Sequence, residues 1–283
     1  MLKKSPAAAG LFILALSFGA AAQDAKRGEY LSKAAGCLGC HTEEKKDAVP
    51  YAGGRVLKTP FGSFFGPNIT PHKEAGIGAW SEADFVRAMR EGRRADGANL
   101  FPAFPYPSFT KMSDADLRDL WAYLRSLPAN ATPSRPHELG FLYRWRFLVT
   151  VWKWFFFNPG PLVADAAKGA VLNRGAYLVQ ALGHCGECHT PRNFMGAPKQ
   201  SLFLAGAKIG ETKASNLTPT RLKKYGDGEL KELLKTALTE DGDVLAESMS
   251  EVVRNTTSQL TAPDLDAMVA YLRSLPALPD DTK

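Results

Sequence analysis

Cys37-Leu38-Gly39-Cys40-His41 decides the reading of this chain, and the pattern returns as Cys185-Gly186-Glu187-Cys188-His189. Cys-x-x-Cys-His is the attachment signature of c-type haem. Two thiols three positions apart share one turn of backbone, so each can form a thioether to a haem vinyl group. The adjacent His then falls under the iron as proximal ligand, with its second ring nitrogen held by a backbone carbonyl. The chain has four Cys, and the two motifs take all of them. Zinc, a thioredoxin-like redox pair and disulfides are the competing uses of such cysteines. Zinc spacings do not call for a His directly after the second Cys. A redox pair belongs in a βαβ pattern, which the sequence lacks. Disulfides suit an exported chain, but they leave the two motif histidines without a purpose. The expectation is two covalently bound haem c groups, held by Cys37, Cys40 and His41 and by Cys185, Cys188 and His189.

Outward from the motifs, the rest of the sequence repeats as well. The two motifs are 148 positions apart. At that offset Pro67-Asn68-Ile69-Thr70-Pro71 matches Ser215-Asn216-Leu217-Thr218-Pro219, and Asp116-Leu117 matches Asp264-Leu265. Ala122-Tyr123-Leu124-Arg125-Ser126-Leu127-Pro128 matches Ala270-Tyr271-Leu272-Arg273-Ser274-Leu275-Pro276. The lead-in repeats with a one-residue slip, Arg27-Gly28-Glu29-Tyr30-Leu31 against Arg174-Gly175-Ala176-Tyr177-Leu178. A tandem duplication of a unit of about 110 residues, a common domain size, follows.

Each unit reads as helical. Residues 28–36 form a short helix leading into the first motif. Ser81 caps a second helix, with Phe85, Val86 and Met89 facing the core. Ser113 caps a third, whose stripe is Leu117, Leu120, Trp121, Leu124 and Leu127, and Pro128 marks its end. The second unit repeats these helices over 230–238 and 262–275. No alternating strand pattern stands out. The segments between helices are long and rich in Gly and Pro, and a haem would supply the core they lack.

The N-terminus reads as a secretory leader. Lys3 and Lys4 precede an apolar run from Ala7 to Ala22, and Ala20-Ala21-Ala22 offers a cut before Gln23. The run is short for a membrane span of about 20 apolar residues. The chain carries 35 Lys+Arg and 29 Asp+Glu, a net charge of +6. Removing residues 1–22 takes away two Lys and no acid, and 33 − 29 leaves +4. Haem propionates bring that nearer neutral, so the charge is no argument for nucleic acid. Between the units, Phe141-Leu142-Tyr143-Arg144-Trp145-Arg146-Phe147-Leu148-Val149 runs on to Trp152-Lys153-Trp154-Phe155-Phe156-Phe157 and holds three of the five Trp. Basic residues interrupt it, so it is a poor membrane span. It reads either as a linker packed across both units or as a helix that docks on a membrane surface or a partner.

Several strings extend the motifs: Thr59-Pro60-Phe61-Gly62, Asn68-Ile69-Thr70-Pro71, Gly76-Ile77-Gly78, Phe101-Pro102-Ala103-Phe104-Pro105-Tyr106 and Lys111-Met112-Ser113-Asp114. The second half has Asn173-Arg174-Gly175-Ala176-Tyr177-Leu178 and Gly183-His184-Cys185 through His189-Thr190-Pro191-Arg192-Asn193. With them the chain resembles the c-type cytochrome subunits of periplasmic, membrane-associated dehydrogenases, such as those serving alcohol, gluconate and sorbosone dehydrogenases and molybdenum hydroxylases. The resemblance implies an all-α fold of two tandem class I cytochrome c domains, at 23–133 and 166–283. An aromatic-rich linker at 134–165 would join them, behind a signal peptide at 1–22. It also implies a periplasmic electron carrier that takes electrons from a dehydrogenase catalytic subunit and passes them to a quinone, another cytochrome or an oxidase. No enzymatic activity of its own is implied. Many such subunits carry three haem motifs, whereas this sequence holds two. The alternative is a two-haem enzyme such as a peroxidase or a thiosulfate dehydrogenase, the former needing one iron open to substrate.

Electron-transfer haems are usually closed by Met, whose soft sulfur favours Fe(II). Met249 lies between the middle and last helices of the second unit, on an expected loop over the distal face, and Met195 is its competitor. In the first unit Phe101 stands opposite Met249 at the repeat offset. Relatives often have Ala-Met-Pro-Tyr where this chain has Ala103-Phe104-Pro105-Tyr106. Met112, just before cap Ser113, is then the expected ligand, with His72, Lys111 or an open iron as alternatives. Met112 also reads as a hydrophobic staple, since its repeat counterpart is Leu260. His184 reads as packed, propionate-bonding or redox-active, and His72 and His137 as solvated loop residues. Arg192 reads as a propionate partner and Pro50 as the carbonyl that holds His41.

Overall fold

The computed structural model describes residues 23–210, 212–239 and 241–280. The leader expected at 1–22 lies outside the described residues. The first half runs through α1 (Ala25–Ala34), α2 (Cys37–His41), β1 (Val56–Thr59), β2 (Gly62–Phe65), α3 (Glu82–Glu91), α4 (Tyr106–Phe109) and α5 (Asp114–Ser126). A two-residue strand β3 (Glu138–Leu139) and α6 (Leu148–Phe156) follow. The second half has α7 (Ala170–Tyr177), α8 (Gly186–His189), β4 (Ala207–Ile209), β5 (Thr212–Ala214), α9 (Pro219–Leu222), α10 (Asp227–Thr236), α11 (Glu247–Asn255) and α12 (Ala262–Ser274).

The caps form where side-chain chemistry places them. Ser81 and Asp84 make a reciprocal capping box at α3, and the Ser113 hydroxyl accepts the Asp116 amide at α5. Helix α1 crosses α5, and α7 crosses α12, at a glycine in each case. A Cβ at Gly28 would lie 1.9 Å from the Asp119 carbonyl oxygen, and one at Gly175 would lie 2.0 Å from that of Ala267. The two crossings are therefore the same contact built twice, each placing the start of a haem motif against the C-terminal helix of its own half.

The one-residue slip in the lead-in has a local cause. Leu178–Leu182, between α7 and the second motif, is a π-helical turn. Such a turn absorbs one inserted residue without breaking the helix. Hence Gly175 keeps its crossing while His184 and Cys185 keep their place after it.

Two small antiparallel sheets depart from the all-helical expectation. β1 pairs with β2, and β2 with β3; β4 pairs with β5. Their strands are two to four residues long, too short for alternation to show in the sequence. In the second half the middle helix is Asp227–Thr236 rather than 230–238, because Ala237 already turns into the left-handed region.

Reciprocal polar contacts join the halves. The Tyr30 hydroxyl donates to Asp264 at 2.5 Å and accepts the Thr261 amide at 3.3 Å. The Tyr177 hydroxyl donates to Asp116 and accepts the Ser113 amide at 2.9 Å. Tyr30 and Tyr177 correspond in the repeat, as do Asp116 and Asp264, and Ser113 and Thr261. Each half therefore gives the other the same contact, the mark of an isologous interface. Arg27 pairs with Asp116 and Asp119, and Arg174 with Asp264 at 2.6 Å, so each shared carboxylate is also neutralised from its own half.

Helix α6 bridges both halves and has two faces. Inward, Val149 and Trp152 are buried, and the Trp152 indole donates to the Met195 carbonyl at 3.1 Å. The Lys153 ammonium donates to the Glu91 carbonyl at 2.6 Å and to the Asn99 side chain at 2.8 Å. Outward, Trp154 and Phe155 on α6, and Phe141 and Phe147 just before it, are each more than 60% exposed.

Gly175→Ala would force the α7–α12 crossing apart and should cost about 1–3 kcal/mol, lowering the melting temperature in calorimetry. Gly228→Ala in α10, where a Cβ meets nothing within 4 Å, should instead leave the melt unchanged or raise it.

Candidate functional site

Helices α2 and α8 carry the two Cys-x-x-Cys-His motifs, and both are held by the same wiring. The Nδ1–H of His41 donates to the Pro67 carbonyl at 2.8 Å. That of His189 donates to the Ser215 carbonyl at 2.6 Å. The carbonyl of each His accepts a glycine amide, from Gly53 at 2.8 Å and from Gly206 at 2.9 Å. With Nδ1 committed, Nε2 is the atom left to bind iron. Burial pushes both imidazoles below the ordinary histidine pKa, partly offset by the carbonyl each one bonds. They stay neutral, as a ligand must.

The carbonyl that holds His41 is that of Pro67, not Pro50 as expected from the sequence. The reason is visible one residue on. The amide of Asn68 donates to the Asn130 and Thr132 carbonyls, each at 2.9 Å, and its oxygen accepts the Thr70 amide and hydroxyl. Asn216 donates to the Leu278 carbonyl at 3.0 Å and accepts from Thr218 at 2.7 Å. Both Asn are buried. Each pins its loop to the segment beyond the C-terminal helix, so the carbonyl before it stands still under the His. The repeated Asn-x-Thr string was the signal that could have located these carbonyls.

None of the four cysteines is in a disulfide. Burial pushes Cys37 and Cys40 up to about 11 and Cys185 up to about 12. Among the described residues, no three His, Cys, Asp or Glu converge as metal ligands. Tyrosines stand beside the motifs. Ser32 and Tyr51 share a hydrogen bond of 3.1 Å next to Cys37. In the second half Gln180 donates to the Tyr271 hydroxyl at 2.6 Å. Two thiols on one turn, a neutral His with one nitrogen committed, and a buried tyrosine alongside fit covalent haem at both motifs.

Met112 is fully buried, in a cluster with Phe109, Leu117 and Leu120. Met249 does not lie on a loop. It sits in the first turns of α11 and is half-buried. It shares a helix face with Val253, four residues on, which is buried. Met195 is 39% exposed, its carbonyl bonded to Trp152. His72 accepts the Ala75 amide at 3.1 Å, and burial pulls Lys111 below the usual ammonium pKa. His137 is half-buried rather than a free loop residue. It packs against Phe64 and Phe101 and accepts the Phe65 amide at 3.2 Å. Arg192 is engaged by the Glu187 carboxylate at 2.6 Å and by the Gly196 carbonyl.

A family model described as Cytochrome c matches residues 25–128. The fructose dehydrogenase cytochrome subunit of Gluconobacter japonicus is 41% identical over 89% of this chain and 52% of its own length. A diheme cytochrome c-type protein of Cereibacter sphaeroides is 39% identical over 90% of this chain and 87% of that protein. The cytochrome c subunit of an alcohol dehydrogenase (quinone) from Gluconobacter oxydans is 36% identical over 96% and 60%. The chain thus spans about half of the first of these relatives and most of the second.

Mass spectrometry of the protein purified from its own host should show two haem additions and no thiol that alkylates. One addition, or one reactive thiol, would remove one of the two sites.

Proposed function

We propose, for a chain that belongs to the cytochrome c family, a two-haem electron-transfer subunit acting in the periplasm. It would accept single electrons from a dehydrogenase catalytic subunit and pass them to a quinone, another cytochrome or an oxidase. The observation that carries this is the duplicated His wiring: two motif histidines, each fixed by a backbone carbonyl 26 residues further on. Relatives named as cytochrome subunits of fructose, alcohol and gluconate dehydrogenases support the electron-carrier role.

In this reading the chain is two tandem cytochrome c domains, 23–133 and 166–283, with 134–165 as linker. When bound, haem supplies one-electron chemistry at iron. The protein supplies attachment at Cys37, Cys40, Cys185 and Cys188, proximal ligation at His41 and His189, and distal thioethers at Met112 and Met249. Met112 as distal ligand would close the first iron, as the electron-carrier reading requires. A leader at 1–22 would export the chain to the compartment where covalent haem is attached. Among the described residues no helix is long and apolar enough to cross a membrane.

The outer face of the linker is the docking surface in this reading. Its aromatics are exposed while Trp152 and Phe156 pack inward beside Tyr106 and Ala197. Between Glu138 and Asp165 the segment carries Arg144, Arg146 and Lys153 and no acid. Aromatic and basic residues together suit an anionic bilayer surface or an acidic rim on a partner.

A redox titration of the purified chain should show two one-electron steps. The reduced form should not bind carbon monoxide; rapid binding at either iron would favour the enzyme reading. Met112→Ala and Met249→Ala should each abolish the weak thioether–iron charge-transfer absorption of one haem. A substitution that leaves both haem spectra unchanged removes that Met from the ligand set. The triple change Phe141→Ser, Trp154→Ser and Phe155→Ser should preserve both haem spectra and the melt but abolish membrane retention or dehydrogenase co-purification. Retained association with a lowered melt would assign these rings to stability alone.

A further inference from the structure

Positions 39 and 187 correspond in the repeat, each directly preceding the second Cys of its motif. The second motif carries Glu187 there, and the first carries Gly39. The Glu187 carboxylate accepts the Ser108 hydroxyl at 3.0 Å and pairs with Arg192 at 2.6 Å. At Gly39 the other half fills the place. A Cβ there would lie 3.7 Å from Glu251 Oε1 and 3.6 Å from Asn255 Nδ2, both on α11. Glu251 pairs with Arg55 at 2.7 Å, and Arg55 also holds Glu44 at 2.7 Å. Each motif helix therefore has a carboxylate and a guanidinium beside the same position. The second half builds the pair from its own residues, whereas the first receives the carboxylate across the interface.

The duplication does not account for this match. At the repeat offset Glu251 stands opposite Ala103, Arg55 opposite Phe203, and Arg192 opposite Glu44. The same charge arrangement is assembled from unrelated positions. It is also largely withdrawn from water: the side chains of Glu251 and Arg55 are 20% and 18% exposed, and that of Glu187 17%. Salt screens charges so placed much less than surface charges. Residue 39 adjoins an attachment cysteine and lies two positions from His41, so a charge held against it acts on the group that the motif attaches. A carboxylate favours the more positive, oxidised state of a redox group and lowers its potential, and a guanidinium does the reverse.

We propose that Glu251, reaching across from the second half, is the carboxylate that sets the potential of the haem on the first motif, the part that Glu187 plays within the second. Arg55 tempers it with the opposite sign. The pair makes and breaks no bond and moves no electron; it biases an equilibrium. The inference rests on the reading that both motifs carry haem.

Midpoint potentials are read by spectroelectrochemical titration of the full chain, with the haem count by mass on each sample. Glu251→Gln keeps the size of the side chain and removes its charge. It should raise one midpoint and leave the other near its parental value, and Glu187→Gln should raise that other one. Glu251→Asp, which keeps the charge, should stay close to the parent. Arg55→Gln should lower the midpoint that Glu251→Gln raises. This opposition of sign separates charge from packing, because both substitutions break the same ion pair and a merely loosened interface would move the midpoint one way in both. Two haems with an unmoved midpoint in Glu251→Gln would overturn the proposal alone. So would a shift of the same sign in Arg55→Gln, or a shift of the same step by Glu187→Gln. Should Glu251→Gln fail to take up two haems, Arg55→Gln against Arg55→Lys decides. A midpoint lowered in the Gln variant only supports the proposal, and any other pattern overturns it. A parent with fewer than two haems would overturn the two-haem reading and this inference with it.

Discussion

In the proposed reading His41 and His189 each bind iron through one ring nitrogen, which is useful only when the other is held, and the bond that holds it organises each half of this protein. The bond from His41 to the Pro67 carbonyl needs the 67 peptide to sit under the ring, 26 residues away in sequence. Nothing in α2 itself provides this. A buried Asn at 68 does, by spending all its hydrogen-bonding capacity on Thr70 and on the segment after α5. A polar side chain is tolerated in the interior when every group is paired, and here the pairing does mechanical work. It links the motif, the loop and the end of the C-terminal helix into one support. The second half repeats that support with Ser215, Asn216 and Thr218.

Duplication of such a unit leaves each copy with apolar surface to cover, and the copies cover each other. The Tyr30–Asp264 and Tyr177–Asp116 contacts are the same contact seen from the two sides. The larger hydrophobic cluster draws on both halves, from Leu31 and Met112 to Leu182 and Met268. Exact symmetry fails where corresponding residues must touch. At 36 and 184 the copies differ, Gly36 against His184, and a Cβ at 36 would lie 3.1 Å from the Thr256 hydroxyl and 3.9 Å from the His184 ring. The sequence also departs from the repeat at 178–182, where a π-helical turn takes up one extra residue before the motif. These departures sit next to the second motif, where the interface and the haem attachment compete for the same backbone.

Much of this was legible in the chain before any coordinates. The cysteines, the proximal histidines, the capped helices and the duplication are carried by local spacing, and spacing is what a sequence displays. The Asn-x-Thr strings were visible as repeats, but their role was not, because it depends on contacts some 60 residues away. His137 looked like a loop residue since nothing near it in sequence marks the rings of Phe64 and Phe101 that enclose it. The short hairpins escaped notice because strands of a few residues have no period to read. The helical setting of Met249 was hidden for a different reason. The stretch before α11 is polar and carries Gly242, so a helix starting at Glu247 lacks the side-chain cap that announced α3 and α5.

The linker shows why composition alone could not choose between an internal and an external role. A helix with aromatic residues all round reads as buried, yet α6 is only half so. Trp152 and Phe156 lie four residues apart and face Tyr106 and Ala197, while Trp154 and Phe155 lie between them in sequence and face outward. The inward face ties the two halves together through the Met195 carbonyl and the backbone around Glu91. That bonding makes the outer face rigid, since the rings are presented from a helix clamped at both sides. An exposed apolar face of this kind is uncommon on a soluble monomer. Rigid presentation lowers the entropy lost when a surface is docked. The packing role and the docking role are therefore one arrangement: burial of half the aromatics holds the other half ready for contact.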